Sequence, residues 1–346
     1  MTDLKLLIFG AGAIGTYVGS SLLLSGEKAI FVERPATAAK IKSTGMRLIH
    51  DGETRLVENP PVYGNLAEAL DQGPFDAVLV AVKSYDTAGL AEQLTGYRDR
   101  LPPVICLQNG VENEALLETA LGEGRVIPAT LTSAIGKPGP GTAVVERLRG
   151  IGVANVNPVC SKLVEGFNQA GLQARLYADA GSMKWSKLLT NLLANATSAI
   201  LDMSPAEIYA HPGLYALEAR QFKEALAVMR RLDVQVVDLP GTPVRLLALM
   251  MQLAPPWLGR RLAVRFLGSG RGGKMPSFHI DLYSGSKKSE VEYLNGAVSR
   301  FGAQFGIPTP VNRFLADILQ RLITGAIPMD TYRRNPEKLL QYFSQS

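Results

Sequence analysis

The chain has 346 residues, of which 47% are apolar and 19% charged, and its two cysteines, Cys106 and Cys160, are too few for a disulfide framework, which favours a reducing cytoplasm. Its uninterrupted apolar runs are far shorter than a bilayer span, so we expect no membrane partner. The net charge of +5 is matched by five basic residues in the acid-free segment from Gly259 to Lys274, so the excess is local and does not indicate a nucleic-acid surface.

The first half of the sequence alternates strand-like and helix-like segments. Apolar runs predict strands at 4–9, 28–33, 77–82, 104–108 and 125–133, and the stretches between them predict helices near 13–25, 35–43, 85–95 and 112–121. This alternation is typical of a parallel, doubly wound sheet. Beyond a turn at residues 139–141, we expect 143–145 and 150–154 to form a hairpin.

A glycine-rich turn follows the first predicted strand. It consists of Gly10, Ala11, Gly12, Ala13, Ile14 and Gly15. In this pattern the first glycine permits a tight turn, the second lets backbone N–H groups approach a pyrophosphate, and the third lets the helix pack close to the strand. Because a helix N-terminus also favours negative charge, the context predicts a dinucleotide site rather than a plain glycine turn.

The end of the second predicted strand bears on which dinucleotide binds. Glu33 lies 18 residues after Gly15, where an acid usually holds the ribose 2′-hydroxyl of NAD. Arg34 follows it, and a guanidinium there can clamp the 2′-phosphate of NADP. Glu33 can instead turn away or pair with Arg34 or Lys40. From the residues alone, NADP is favoured over NAD by a small margin.

The character of the chain changes near residue 180. Helical patterns then cover 182–202, 213–233, 243–253, 287–305, 310–324 and 335–344, and strand signals are nearly absent. We therefore predict a dinucleotide-binding Rossmann domain at 1–180 and an all-α domain at 181–346. The apolar run 246–251 is suited either to a core or to a homodimer, so a monomer and a homodimer both stay open. The segment 255–274 is either a lid or partner-binding loop or a solvated insertion.

A polar stripe marks the first helix of the second domain. Lys187, Asn191 and Asn195 are spaced i, i+4 and i+8 in an otherwise apolar helix, so they share one face. The simple alternative is a solvated helix face. Asparagine, however, is a poor helix former, and surface helices prefer Glu, Lys or Gln. The stripe therefore favours a site for a polar ligand.

Other candidates lie elsewhere in the chain. Glu290 and Glu292 cannot share a helix face, so at most one points inward, and Ser277 is by its spacing more often a helix cap. Lys83 and Asn109 each follow a predicted parallel strand, at the edge where such sheets bind ligands. The three histidines lie far apart without metal-ligand spacing, so we expect no metal site.

Taken together, these segments resemble the ketopantoate reductase (2-dehydropantoate 2-reductase) family along nearly the whole chain. The resemblance rests on the glycine turn and on five further motifs: Val82-Lys83-Ser84, Leu107-Gln108-Asn109-Gly110, Lys184-Trp185-x-Lys187-Leu188-x-x-Asn191, Ser289-Glu290-x-Glu292-Tyr293-Leu294-Asn295-Gly296, and Gly306-Ile307-Pro308-Thr309-Pro310-Val311-Asn312. It implies NADPH-dependent reduction of a 2-oxo acid, ketopantoate, to pantoate for pantothenate biosynthesis. It also implies a helical second domain like that of 6-phosphogluconate dehydrogenase, with nicotinamide and substrate held between the domains.

The resemblance assigns roles position by position. Lys187 matches the general acid, Glu290 the carboxylate that holds the substrate hydroxyl, and Ser277 a serine near the substrate carboxylate. Asn191 and Asn195 match substrate-facing asparagines, and Arg34 matches an arginine on the adenosine 2′-phosphate. Asn109 and Lys83 match loop residues near nicotinamide and substrate, so Asn109 is expected to serve both cofactor binding and catalysis.

Departures from the family pattern leave the substrate open. One residue more than in family members separates Asp281 from Glu290, segment 255–274 resembles an insertion, and Met203-Ser204 stands where some members place an asparagine. A paralogue acting on another 2-oxo acid, a β-hydroxyacid or opine-type dehydrogenase, and a non-catalytic NADP-binding sensor are the alternatives.

Overall fold

The computed structural model describes residues 2–265 and 275–345, which form two compact units. The first unit contains the chain up to Gln108 together with Glu112–Lys184 and Leu239–Thr242. The second contains Asn109–Val111, Trp185–Asp238 and the described residues from Pro243 onward. Each unit is described on its own below.

Strands within the described residues of the first unit build two sheets. Their bounds are β1 Lys5–Phe9, β2 Lys28–Val32, β3 Met46–His50, β4 Glu53–Val57, β5 Val62–Tyr63, β6 Ala77–Val80, β7 Val104–Cys106, β8 Val126–Leu131, β9 Ala134–Gly139, β10 Thr142–Arg147, β11 Ile151–Ala154 and β12 Ala174–Tyr177. The larger sheet has the order β12-β11-β8-β7-β6-β1-β2-β5 and is parallel except where β11 pairs with β8. This confirms the predicted doubly wound sheet.

Six α-helices in the described residues of the first unit pack on this framework. They are α1 Ala13–Leu24, α2 Pro35–Thr44, α3 Leu66–Leu70, α4 Thr87–Thr95, α5 Asn113–Leu121 and α6 Cys160–Gln169. The central strand β1 is apolar along most of its length because both faces are covered: Leu6 and Ile8 belong to one core cluster, whereas Leu7 and Phe9 belong to another. The carboxyl ends of the parallel strands lead into the turns at Gly10, Lys83 and Asn109.

The predicted hairpin between 143–145 and 150–154 is wrong. β10 pairs with β9 and β3 in a separate four-stranded sheet of order β4-β3-β10-β9, whereas β11 joins the large sheet beside β8. Short strands next to a Gly-Pro-Gly turn do not reveal their partners, because pairing is decided by contacts far away in sequence. The β3–β4 hairpin was not predicted, and its second strand is largely exposed.

The second unit is helical throughout its described residues. Its helices are α7 Ala180–Leu192, which starts in the first unit, α8 Asn195–Leu201, α9 Pro205–Ala210, α10 Pro212–Arg231, α11 Val244–Leu253, α12 Pro256–Ala263, α13 Ser277–Tyr283, α14 Val291–Gln304, α15 Pro310–Ile323 and α16 Pro336–Gln345. α12 lies within the basic segment 255–274; residues 266–274, with Arg271 and Lys274, are outside the described residues.

One helix predicted over 182–202 is in fact two. α7 ends at Leu192, and Ala194 adopts a left-handed conformation with φ 50° before α8 begins at Asn195. The apolar periodicity runs through this interruption without a glycine or proline to mark it. A left-handed alanine costs roughly 1–2 kcal/mol, so the surrounding structure must stabilise it.

A buried ammonium joins the start of α7 to the sheet. The Nζ atom of Lys184 donates to the carbonyl oxygens of Gln108 at 2.7 Å and Ala129 at 3.2 Å, and it lies 2.7 Å from Oε1 of Glu114 in a charge–charge contact. Burial lowers the pKa of Lys184, but the Glu114 carboxylate and Cys106 together raise it by more, so the pKa lies above its ordinary value. The ammonium therefore fixes the carbonyl that directly precedes Asn109.

We expect Lys184→Met to lower the free energy of unfolding of the first unit by roughly 3 kcal/mol, because it leaves the Glu114 carboxylate buried without its cation. Thermal unfolding near pH 7 measures this, and Lys184→Met combined with Glu114→Leu should cost less than Lys184→Met alone. Because the folded pKa of Lys184 is raised, its contribution is present below the unfolded pKa and is lost as the pH rises through the folded one. Equal melting temperatures of wild type and Lys184→Met would contradict this role.

Candidate active site

The glycine turn has the backbone geometry that the sequence predicts. Gly10 has φ 92° and donates its N–H to the carbonyl of Val32 at 3.1 Å. A Cβ added to Gly15 would lie 1.8 Å from the Gly10 carbonyl oxygen, so a side chain cannot fit there. A Cβ at Gly12 would meet nothing within 4 Å, so the backbone faces open space at that point.

The N-terminus of α1 is suited to a phosphate. Its first turn contains no acidic residue, and among the described residues no side chain caps it. Backbone N–H groups at such an end are unpaired donors, and the helix dipole adds to their attraction for an anion. The turn 10–15 and this helix end therefore fit the pyrophosphate of a dinucleotide.

Glu33 and Arg34 point to different partners. The Glu33 carboxylate accepts from the backbone N–H of Ala11 at 2.6 Å and from that of Arg34 at 3.1 Å. This acid is therefore tied to the glycine turn rather than turned away from it. The Arg34 side chain is exposed at the start of α2. The end of β2 thus offers both a carboxylate that can bind a ribose hydroxyl and a guanidinium that can bind a phosphate.

Four of the predicted site residues form a continuous polar cluster in the second unit. The Asn191 side-chain amide donates to Oδ1 of Asn109 at 3.0 Å, and the Asn195 side-chain amide donates to the Asn191 carbonyl at 3.0 Å. Nδ2 of Asn195 also lies 3.4 Å from the Ser277 hydroxyl, and its Oδ1 accepts from the N–H of Phe278 at 3.1 Å. The buried Asn195 therefore connects α8 to the start of α13.

The remaining candidates occupy separate positions. Lys187 lies one helical turn before Asn191 on α7 and is partly exposed, whereas Glu290 is buried directly before α14. Glu292 is partly exposed and pairs with Arg300 at 3.4 Å, which confirms that only one of the two glutamates points inward. In the first unit, Lys83 follows β6 and is partly exposed.

A buried carboxylate that sequence reasoning missed stabilises the interruption between α7 and α8. Glu218 on α10 is fully buried; its Oε2 accepts from the N–H of Ala194 at 2.8 Å, and its Oε1 accepts from the Thr197 hydroxyl at 2.7 Å. Gln221 donates to the Leu192 carbonyl at 3.2 Å and to Glu218 at 2.7 Å. These side chains satisfy backbone groups that the broken helix leaves unpaired.

Two motif residues extend this network. Nδ2 of Asn295 donates to Gln221 at 2.9 Å and to Oδ1 of Asn312 at 3.2 Å. Asn312 in turn donates to the Gln221 carbonyl and to Glu224, each at 2.9 Å, and Glu224 accepts from the first N–H groups of α15. Burial raises the pKa of Glu224. The asparagines of the last two motifs thus have a structural role.

Each of the three histidines lies near a carboxylate. His279 lies 2.7 Å from Asp202, His211 lies 3.1 Å from Glu337, and His50 lies 3.6 Å from Asp51. His279 and neighbouring groups lower the pKa of Asp202. Within 2–265 and 275–345, no group of three or more His, Cys, Asp or Glu residues is arranged to hold a metal ion.

A doubly wound sheet with a phosphate-type glycine turn, followed by a helical unit bearing lysine, amide and hydroxyl groups, defines a pyridine-nucleotide-dependent oxidoreductase. Residues 6–158 match the family model described as ketopantoate reductase PanE/ApbA, and residues 179–322 match the model of its C-terminal part. The chain therefore belongs to the ketopantoate reductase family.

Individual relatives agree with this membership. A 2-dehydropantoate 2-reductase from Halobacterium salinarum is 28% identical over 328 residues, which span 92% of this chain and 98% of the relative. A PanE/ApbA family ketopantoate reductase from Ralstonia eutropha has a solved structure with 28% identity and a TM-score of 0.78, covering 93% and 99% of the two chains. A D-mandelate dehydrogenase solved with NADH and anilino(oxo)acetate shares the fold, with a TM-score of 0.77, 21% identity and the same coverage.

The network around Ala194 yields a testable expectation. We expect Glu218→Gln to reduce stability by about 1–3 kcal/mol, because an amide cannot accept both the Ala194 N–H and the Thr197 hydroxyl as the carboxylate does. Hydrogen exchange should accelerate in a peptide covering residues 192–198. Adding Ala194→Gly should restore part of the loss, since glycine adopts the left-handed conformation without penalty.

Glu207→Gln is the matched control, since Glu207 is more exposed and caps α9 through Ser204. It should leave exchange at 192–198 unchanged. Unaltered exchange in Glu218→Gln would show that the carboxylate does not hold the interruption.

Proposed function

We propose that the protein uses NADPH to reduce a 2-oxo acid, and that 2-dehydropantoate (ketopantoate) is its preferred substrate, which it converts to pantoate. The observation that carries this proposal is the polar cluster of Asn109, Asn191, Asn195 and Ser277, of which Asn191 lies one turn after Lys187 on α7. Curated relatives named 2-dehydropantoate 2-reductase support it. The proposal includes a soluble cytoplasmic location and a first domain ending near residue 180.

In this proposal the bound nicotinamide supplies the hydride that reduces the C2 carbonyl of the substrate. The Lys187 ammonium stabilises the negative charge that develops on the carbonyl oxygen and then donates a proton to it. A cation of this kind is supplied by Lys187, which is partly exposed on a helix whose residues are mostly buried. The products are then a neutral hydroxyl on the substrate and a neutral lysine that is reprotonated from solvent.

The remaining side chains hold the substrate. The Ser277 hydroxyl donates to the substrate carboxylate, and Asn191 orients the reacting carbonyl together with Asn109. Asn195 already uses its amide within the protein, so its part is to fix Ser277 and the start of α13. Glu290 accepts from the terminal hydroxyl of the substrate, and a buried acceptor of this kind strongly rejects analogues that lack the hydroxyl.

For the dinucleotide, the turn 10–15 and the start of α1 would hold the pyrophosphate, with Lys83 and Asn109 toward the nicotinamide. Arg34 would hold the adenosine 2′-phosphate of NADPH. Glu33 would remain on the Ala11 N–H, where its charge also permits a hydrogen bond from the ribose hydroxyl of NADH. We therefore assign a preference for NADPH over NADH that rests on Arg34.

The decisive experiment measures NADPH consumption with ketopantoate, with 2-oxo acids that lack its hydroxyl, and with β-keto acids and amine-plus-oxo-acid pairs. We expect turnover with ketopantoate and a fall in kcat of about 100-fold or more for Lys187→Ala, the scale of a lost general acid. Lys223→Ala is the matched control, because Lys223 is an exposed lysine on α10.

Three results would contradict the proposal and favour one of the alternative functions. Faster turnover of another 2-oxo acid would indicate a paralogue with a different substrate. Turnover of β-keto acids or amine pairs would indicate a β-hydroxyacid or opine-type dehydrogenase, and tight NADPH binding with no oxidation of any compound would indicate a sensor. Near-normal kcat in Lys187→Ala would remove Lys187 as the acid.

The assignment of Arg34 is tested separately. We expect Arg34→Ala to raise the KM for NADPH at least tenfold while the KM for NADH changes little, because NADH has no 2′-phosphate for the guanidinium to bind. Glu33→Gln should do the reverse and raise the KM for NADH more than that for NADPH. An equal effect of Arg34→Ala on both cofactors would contradict the assignment.

A further inference from the structure

Two helices of the second unit expose an unusual apolar face. Leu246, Leu249 and Leu253 on α11 are 64%, 54% and 73% exposed, and Trp257 on α12 is 60% exposed. Of the large apolar side chains in the described part of the chain, these four are the most exposed. The three leucines recur at i, i+3 and i+7 on α11, so they form a stripe at helical spacing, and Trp257 follows on the next helix.

This stripe is not the face that holds α11 to the protein. Val244, Ala248 and Met251 lie on the opposite side of α11 and are buried, and both α11 and α12 contact α10. On α12 the buried residues are Gly259 and Ala263. α11 is therefore apolar on two opposite faces, and packing within the described residues accounts for one of them.

Positive charge surrounds the stripe. From Leu239 to Ile280 the sequence contains no acidic residue, and the described part of this stretch contains Arg245, Arg260, Arg261 and Arg265. The Arg261 guanidinium lies 6.0 Å from the centre of the Trp257 ring. Two acids beside these helices are engaged elsewhere: Asp238, before α11, accepts from the N–H of Arg245, and Glu207 on α9, which contacts α12, pairs with Arg334.

We propose that α11 and α12 form a docking surface for the anionic surface of a lipid bilayer, with Leu246, Leu249, Leu253 and Trp257 entering the headgroup region and the arginines contacting lipid phosphates. Helices with leucine and tryptophan on one face and arginine beside it lie in the plane of the membrane interface. A twofold contact between two copies through this face would bring the arginines of both together, which disfavours that occupant.

Such binding is compatible with the helix lengths. No described helix is long and apolar enough to cross a bilayer, and docking of this kind requires none. The docking surface would hold the enzyme at a membrane reversibly, without a change in its chemistry.

The test uses the full chain and vesicles of phosphatidylcholine alone or mixed with an equal part of phosphatidylglycerol. We expect co-sedimentation with the anionic vesicles and at least tenfold weaker binding to the neutral ones, with affinity falling as salt is added. Trp257 should report the same event by a blue shift of its emission, because the second tryptophan of the chain, Trp185, is already buried.

Variants separate the contribution of the apolar side chains to membrane binding from that of the arginines. Leu249→Ser with Leu253→Ser should abolish binding, and Arg260→Gln with Arg261→Gln should weaken it roughly 30-fold, because each basic residue near an anionic surface contributes about 1 kcal/mol. Val156→Ser is the matched control, since Val156 is a half-exposed apolar residue in the first unit. Thermal unfolding of each variant verifies that it is folded.

Equal binding to neutral and anionic vesicles, or no binding to either by a folded wild-type chain, would overturn the proposal. Sedimentation velocity without lipid provides the last comparison: if wild type self-associates and Leu249→Ser with Leu253→Ser does not, the face is an interface between copies instead. These measurements do not use turnover, so their outcome is independent of the proposed reductase activity.

Discussion

The buried carboxylate of Glu218 is the constraint around which the candidate active site is arranged. An uninterrupted helix would carry Asn195 one turn beyond Asn191 on the same straight face. Glu218 instead holds the N–H of Ala194 in a left-handed turn, and Asn195 becomes the first residue of a new helix. From there its side-chain N–H donates to the Asn191 carbonyl, and its Oδ1 accepts from the N–H of Phe278 at the start of α13. The positions of Ser277 and Asn191 thus follow from an interaction in the core.

Much of the first unit could be predicted from the sequence because local patterns determine it. The glycine turn, the apolar run of β1 and the alternation of strands and helices each depend on residues close together in the chain. Sheet pairing does not, which is why β10 and β11 were assigned to one hairpin although they belong to different sheets. The strand β4, largely exposed, lacks the apolar pattern by which the other strands are recognised.

In the second unit, the sequence identified the polar residues but not their arrangement. Lys187, Asn191 and Asn195 stand out as polar residues in an apolar helix, and two of the four clustered residues, Asn109 and Asn191, lie in family motifs. The break at Ala194 carried no glycine or proline. Glu218 and Gln221 do share a helical face with the buried Leu214 and Ala225, and that placement of polar residues was the signal available. Their partners on α7 and α15 are distant in sequence.

Both cysteines of the chain lie in the first unit, and both are buried. Burial and the nearby Glu114 carboxylate raise the pKa of the Cys106 thiol, so the reactive thiolate is suppressed in the folded protein. Alkylating reagents should therefore modify the chain only when the first unit opens. The rate of labelling under native conditions then reports the opening of the first unit by itself, because the second unit contains no cysteine and is not labelled.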